Sequence, residues 1–401
     1  MTSRTRTLTL APIILTLVTP QSASAVPAQS STRAAQARMA TLFSVFNTPN
    51  SPGCAYAVRM NGKPLTQGAF GMADVAKGRK LTPDMPMNVG SVSKSFTAAA
   101  VLTLIRAGKI KTSDTVTQHF PDLPEWAKTV TIGDLIHMRS GIPDFLERPS
   151  DGARVDNTEG GTQLFGTKKT LFDQVSLPEI YGSIKKNPAL AFKPGSKFSY
   201  SNVNYTLLAM LVEKTSGMEI EDYLRASVLP AALKGRVQEG RFGSGIYTVP
   251  GAAMGYYKAD GGKEWLPRQE TWDVRGPSSI FIGVTDLAKW GDFFSSNLKV
   301  KTSFQAQETT SGIFTDDDGE RAGYAYGLIV TKIAGEDVIY HPGGTEQFTS
   351  GVYTVGAKRL SFAYSCNIRA QELVAALQTG PAAESMKTYG YDVVFRTWMG
   401  K

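Results

Sequence analysis

The sequence predicts an α+β fold, an α/β sandwich in which one sheet is assembled from both ends of the chain and a mostly helical lobe is inserted between them. Three observations carry this. Strand-like alternation appears early, in "GCAYAVRMNGKPLTQGAFG", and returns only late, in "YAYGLIVTKI", "DVIYHPGG", "GVYTVG" and "RLSFAYSCN". Between these stretches, "TIGDLIHMRSGI", "NYTLLAMLVEKTSG", "IEDYLRASVL" and "VTDLAKWGDFFSS" carry helical periodicity, joined by loops containing Gly and Pro. Strands at both termini with helices between them require one sheet built from two distant segments.

Taken in order, the first 25 residues resemble an export signal rather than structure. Arg4 and Arg6 precede the apolar run Leu8 to Val18, and Ala23-Ser24-Ala25 offers small residues for cleavage before Val26. The run is shorter than a spanning helix and contains Pro12, which disfavours an uncleaved anchor. No cysteine follows it to accept a lipid. A periplasmic or secreted protein without a stable membrane anchor is therefore expected.

Residues 26–37 form a polar lead, and the helix-like "ARMATLFSVFN" follows. Asn61-Gly62 then separates two strand-like runs, a hairpin signal because both turn positions tolerate positive φ. Next comes "NVGSVSKSFTAAAVLTLIRAGKI", a helix apolar nearly all round that ends near Gly108 and must be buried. Residues 148–170, rich in Gly, Asp and Thr, suggest an irregular surface loop. The expected organisation is one domain over 38–380, with a sheet lobe at about 38–110 and 321–380, a helical lobe at about 111–320, and a C-terminal extension over 381–401. No internal repeat or low-complexity tract occurs.

Composition narrows the function classes. With 401 residues, 42% hydrophobic and 19% charged, the chain has ample material for a large core. The net charge of +8 falls to +6 if the two signal-region arginines are removed, and the basic residues are scattered rather than clustered with aromatics. Nucleic acid is not an expected partner. Only Cys54 and Cys366 and three histidines occur, at spacings that fit no metal motif. No metal or other cofactor is expected.

Chemistry concentrates at three places. Ser91 and Lys94, three residues apart on a helix, share a face. A serine hydroxyl needs a base, and a lysine serves only if desolvation or a nearby cation lowers its pKa, which a buried helix start provides. The same helix start offers unpaired backbone N–H groups to developing negative charge. Ser-x-x-Lys recurs at Ser183/Lys186 and Ser296/Lys299, but there in polar surroundings that suit a solvated face.

Tyr200-Ser201-Asn202 is the only Tyr-x-Asn in the chain. A phenol beside a lysine can act as a general base, and an amide two residues on can bind both that lysine and a substrate carbonyl. A turn before the next helix, with Asn202 or Asn204 as its cap, explains the same residues. His341-Pro342-Gly343-Gly344 ends a strand, and Pro342 lacks a ladder donor, so this strand is expected at a sheet edge. Its two glycines would let a backbone N–H approach a carbonyl oxygen closely, although a strand-to-turn junction with an exposed imidazole fits too.

In this order, these residues resemble the serine β-lactamase and penicillin-binding protein superfamily, in the branch of class C β-lactamases, DD-peptidases and related esterases. The intervals of 109 residues from Ser91 to Tyr200 and 141 from Tyr200 to His341 suit that branch. So do "GKPLTQGAFGMADV", "TIGDLIHMRSGIPDF", "KPGSKFSYSNVNYTLLAMLVEKTSG" and "SSIFIGVTDLAKWG". The resemblance implies a β-lactamase/transpeptidase-like fold, with a five-stranded antiparallel sheet flanked by helices and the active site beside the helical lobe.

It also implies Ser91 as the acylated nucleophile, Lys94 and Tyr200 as proton carriers, and Asn202, His341, Gly343 and Gly344 as substrate-binding groups. The oxyanion hole would use the backbone N–H of Ser91 and of Gly344. Cys54 would open the first strand and Cys366 close the last, antiparallel neighbours in these relatives, so a disulfide between them is expected. His341-Pro342-Gly343 replaces the Lys-Thr-Gly of class C β-lactamases, removing a permanent cation and a hydroxyl. Gln347 stands where relatives often have glycine.

The expectation is a serine hydrolase that forms an acyl-enzyme with an ester, a D-amino-acid peptide or a related amide, peptidoglycan peptides included. A true β-lactamase and a penicillin-binding receptor without turnover are the alternatives. An α/β-hydrolase is disfavoured because "GPSSI" at Gly276 fails the Gly-x-Ser-x-Gly pattern at its last position. Residues 148–170 and "GAAMGYYKADGGKEW" are candidate cleft walls.

Overall fold

The structure, a computed structural model, describes residues 29–145, 164–169, 173–243, 246–259, 262–297, 312–315, 321–378 and 392–400. The candidate signal segment and most of the 148–170 loop lie outside the described residues. Eight strands form one sheet: β1 Cys54–Met60, β2 Lys63–Phe70, β3 Gly312–Thr315, β4 Arg321–Ala325, β5 Leu328–Ile333, β6 Glu336–Gly344, β7 Thr349–Val355 and β8 Leu360–Cys366. Their spatial order is β3-β4-β5-β6-β7-β8-β1-β2, with every neighbouring pair antiparallel. The sheet thus joins both ends of the chain as expected, with eight strands where the resemblance implied five.

The main helices are α1 Gln29–Leu42, α2 Ser93–Arg106, α3 Leu177–Lys186, α4 Asn202–Ser216, α5 Val284–Asn297, α6 Ala370–Gln378 and α7 Val393–Met399. Successive strand residues point to opposite faces, and the sheet uses both. On one face a Cβ at Gly291 of α5 would meet Ser361, Val352 and Thr354 side chains, so α5 lies close against β7 and β8. On the other, Phe395 of α7 stacks on Tyr353 with ring centroids 4.7 Å apart, and Trp398 packs near Tyr56 and Phe362.

Two segments set apart in the sequence therefore belong to the packed body. The helix that begins the described chain starts at Gln29, inside the stretch taken as a polar lead, and buries Ala35, Met39 and Leu42 along one face. Its Arg38 guanidinium donates to the Thr397 and Trp398 carbonyls at 2.8 and 2.7 Å. These are C-terminal carbonyls of α7, which a helix leaves without internal partners. Helix α7, which lies in the stretch set apart as a C-terminal extension over 381–401, also packs on the sheet.

The hairpin forms where Asn61-Gly62 placed it, with φ of 53° and 73° at the two turn residues. Strand β6 corrects an expectation. It is not an edge strand, for it pairs with β5 from Glu336 to Tyr340 and with β7 along Val338–Gly344. The missing donor of Pro342 costs nothing because β5 stops opposite Tyr340, so only the last four residues of β6 lack a neighbour on that side.

Cys54 and Cys366 are register partners in β1 and β8, and the structure joins them with an S–S distance of 2.06 Å across a separation of 312 residues. Closing so long a loop restricts the unfolded chain. Reduction is expected to lower unfolding free energy by about 2–4 kcal/mol, read as a fall in denaturation midpoint that a Cys54→Ser/Cys366→Ser variant reproduces. Equal midpoints with and without reductant would count against the bond.

Candidate active site

Helix α2 is buried along nearly its whole length, from Ser93 through Leu102. Phe96 stacks on Trp290 of α5 at 4.1 Å, which fixes the helix against the sheet. Such a ring pair contributes about 0.5–1.5 kcal/mol beyond its area burial. Ser91 occupies the single 3₁₀ turn Gly90–Val92 just before α2 and is partly exposed. Ser93, by contrast, is buried and accepts from the Ile280 N–H at 3.0 Å. Of the two hydroxyls at this helix start, one faces outward and the other secures the frame.

Gly90 has φ of +52°, and a Cβ there would lie 2.6 Å from the Gly344 nitrogen. Only glycine admits both the backbone conformation and the close passage of β6. The Asn88 side chain accepts from Gly90 N–H at 2.8 Å, and Ser350 Oγ donates to the Val89 carbonyl at 2.7 Å. The turn bearing Ser91 is thus clamped to β6 and β7, with Gly344 exposed beside it.

Lys94 is fully buried, with Nζ 2.9 Å from Ser91 Oγ, 2.8 Å from Asn202 Oδ1 and 3.1 Å from the Pro277 carbonyl. Burial pushes its pKa down to about 7, while the charge of Asp144 acts the other way. Tyr200 approaches from the start of α4, its ring centroid 4.9 Å from Lys94 Nζ. Ser91, Lys94, Tyr200 and Asn202, separated by up to 111 residues, therefore meet at one point, as do Gly343 and Gly344.

His341 is placed differently from the expectation that it touches substrate. It is 2% exposed. Its Nδ1 lies against the Pro342 carbonyl and its Nε2 lies 3.2 Å from the Tyr324 hydroxyl. A carbonyl only accepts, so Nδ1 carries the proton and Nε2 accepts from Tyr324. The physical reason for its inward position is the strand's alternation. His341 shares a face with Gly343, whose added Cβ would lie 2.1 Å from the Val89 carbonyl oxygen, whereas Gly344 looks onto open space. Burial, then the neighbouring Lys94, pushes the imidazole pKa down to about 3, so it is neutral.

Three contributors were not singled out in the sequence. Tyr324 sits edge-on to Tyr200 at 5.8 Å while bonding His341. Pro277 supplies only a carbonyl, which no side-chain pattern reveals. Asp144 accepts from both the backbone and the side-chain nitrogen of Asn202, at 2.6 and 2.9 Å. Its sole sequence signal is an acid in "SGIPDF", a phrase noticed for its resemblance alone. Gln347 is wholly buried against Gly255, which brings the candidate wall "GAAMGYYKADGGKEW" beside the turn that follows Gly344. Among the described residues, no group of three His, Cys, Asp or Glu side chains is arranged to hold a metal ion.

A partly exposed serine bonded to a buried, pKa-depressed lysine, with a phenol beside it and glycine backbone alongside, is an arrangement chemically able to carry out acyl transfer. The Beta-lactamase family profile matches residues 32–380, and the chain belongs to that family. A D-aminopeptidase from Brucella anthropi is 24% identical over 360 residues, covering 87% of this chain and 63% of that protein. This chain thus spans less than two thirds of the length of that curated relative. The octameric penicillin-binding protein homologue from Pyrococcus abyssi shares the fold with a TM-score of 0.64 at 23% identity, covering 90% of this chain and 78% of that one. The D-stereospecific amidohydrolase from Streptomyces sp. superposes with a TM-score of 0.63 at 19% identity, covering 89% and 99%.

Proposed function

We propose that this protein is a serine hydrolase, acylated on Ser91 and deacylated by water, that acts on D-amino-acid amides or short D-peptides. The observation that carries the reading is the buried Lys94 amine bonded to Ser91. As a neutral amine Lys94 has two N–H groups and one lone pair. The Asn202 amide oxygen and the Pro277 carbonyl only accept, so they take the two N–H groups, and the lone pair is left for the Ser91 O–H.

In that arrangement Ser91 Oγ bonds to the acyl carbon as its proton passes to Lys94. The carbonyl electrons move onto oxygen, which the N–H groups of Ser91 and Gly344 receive. Collapse breaks the C–N bond, and the leaving amine takes a proton delivered through Tyr200. Water then repeats the sequence on the acyl-enzyme. Preference for D-amino-acid substrates is supported by the names of the relatives. With His341 neutral, this position offers no fixed cation to a β-lactam carboxylate.

The test is intact-protein mass spectrometry of wild type and Ser91→Ala with a fluorophosphonate, alongside hydrolysis of D- and L-alanine p-nitroanilide, an activated short-chain ester and a chromogenic cephalosporin. An adduct on wild type alone and faster turnover of the D-anilide are expected. Absence of any adduct on folded wild type would refute the nucleophile. A persistent adduct without turnover would mark a receptor instead.

The pH dependence follows from the two shifted groups. Lys94 is charged below about pH 7 and a free base above it, so the labelling rate is expected to rise through pH 7. His341 is already neutral there, so His341→Gln should leave the midpoint in place even where it slows the reaction. A midpoint that moves with His341→Gln would assign the limb to the imidazole. The proposal extends to location: export by residues 1–25 is supported by their Arg-then-apolar pattern and suits a disulfide-bearing protein. Sequencing the N-terminus of protein recovered outside the cytoplasm tests it, Val26 being expected first.

A further inference from the structure

The start of α4 is tied to a segment about sixty residues earlier in the chain. Ser199 N–H donates to the Met138 carbonyl at 2.9 Å, Ser140 Oγ to Asn204 Oδ1 at 2.6 Å, and Ala191 N–H to the Gly141 carbonyl at 2.8 Å. These bonds bring residues 138–144 alongside Tyr200 and Asn202. At the end of the run one oxygen of Asp144, Oδ2, takes both Asn202 nitrogens, while the carboxyl is 7% exposed.

That contact fixes more than a helix end. An asparagine amide has an accepting and a donating end that can exchange places. An ionised carboxylate only accepts, so it claims the NH₂ group and leaves Oδ1 toward Lys94, 2.8 Å away. The opposite orientation would set oxygen against oxygen. We infer that Asp144 is a positioning residue: its carboxylate holds Asn202 in the one orientation that accepts from Lys94, and so poises the lysine toward Ser91.

A second consequence follows for specificity. With Oδ1 of Asn202 on Lys94 and one Nδ2 hydrogen on Asp144, the second Nδ2 hydrogen is the group Asn202 can offer to a substrate acyl-amide carbonyl. The titratable groups around Lys94 are Tyr200 from the start of α4, His341 from β6 and Asp144 from the 138–144 segment. Of these, Asp144 is the one whose ionised form draws a proton onto Lys94.

This inference rests on Ser91 being the nucleophile, and the experiment separates the two. The pH profile of Ser91 labelling by a fluorophosphonate is measured for wild type, Asp144→Asn and Asp144→Glu, with thermal unfolding of each. Asp144→Asn keeps the shape and loses the charge. It is expected to move the acid limb down by about one pH unit and to slow the plateau about tenfold or more as Asn202 loses its fixed orientation. Asp144→Glu keeps the charge but displaces it, so the plateau should fall while the midpoint stays near that of wild type.

A wild-type midpoint in Asp144→Asn, whether the plateau is intact or merely lowered in step with stability, would overturn the inference. So would a wild-type plateau in Asp144→Glu, the variant that still reports should the other not fold. Failure of wild type itself to label would instead remove the nucleophile on which the inference rests.

Discussion

Ser91→Ala is expected to abolish both turnover and covalent labelling, and Lys94→Met to slow either by about a hundred- to ten-thousandfold, the usual contribution of a general base. The lysine variant carries a second signature. Folded Lys94 has a pKa of about 7 because it is buried, against the ordinary lysine value of 10.5. Between those pH values the unfolded chain holds a proton that the folded one lacks, so wild-type stability rises with pH across about 7 to 10.5. Below pH 7 both states are protonated and the full cost of the buried cation is present. Lys94→Met should lose this slope, in denaturant titrations at pH 7 and pH 9. An unchanged slope would mean that the amine is not buried as described.

Gly343→Ala should be nearly as damaging, by a purely steric route. The new methyl would lie 2.1 Å from the Val89 carbonyl oxygen and 2.4 Å from Ser350 Oγ. Those two atoms are bonded to each other at 2.7 Å, so neither yields cheaply. The strand must move off the turn that carries Ser91, and the Gly344 N–H moves with it. Loss of one oxyanion donor costs about 10²–10³ in rate, and overpacking a further ~1–3 kcal/mol of stability. Gly344→Ala is the control, since nothing lies within 4 Å of its added Cβ. It should fold as wild type does, whatever the methyl does to substrate. Equal rates and stabilities for Gly343→Ala and wild type would refute the packing described at this junction.

Local features were legible because local spacing determines them. Ser91 and Lys94 sit one helical turn apart wherever that helix lies, and the hairpin follows from two residues that accept positive φ. What the sequence misjudged depended on neighbours in space. Pro342 suggested an edge strand, but a missing N–H matters only where a partner strand runs alongside, and the pairing with β5 ends at Tyr340, before Pro342 is reached. The imidazole of His341 was expected to touch substrate, with an exposed side chain as the alternative, yet strand alternation turns it inward with Gly343. The stretch before Ala37 read as a lead because it is polar, while the burial of Ala35 depends on the packed body beneath α1.

The sequence by itself determined the order of the chemistry: an apolar helix opened by Ser91 and Lys94, a lone Tyr-x-Asn, and a glycine-rich strand end, with strands at both termini to enclose them. These are properties of residues close in the chain, where covalent geometry fixes relative position. The tertiary structure alone decided what surrounds them: the carbonyl of Pro277 under Lys94, the hydroxyl of Tyr324 on His341, and the carboxylate of Asp144 on Asn202. The amine of Lys94 loses its proton near neutral pH only because it is buried, and that burial is made by segments that meet only when the chain is folded.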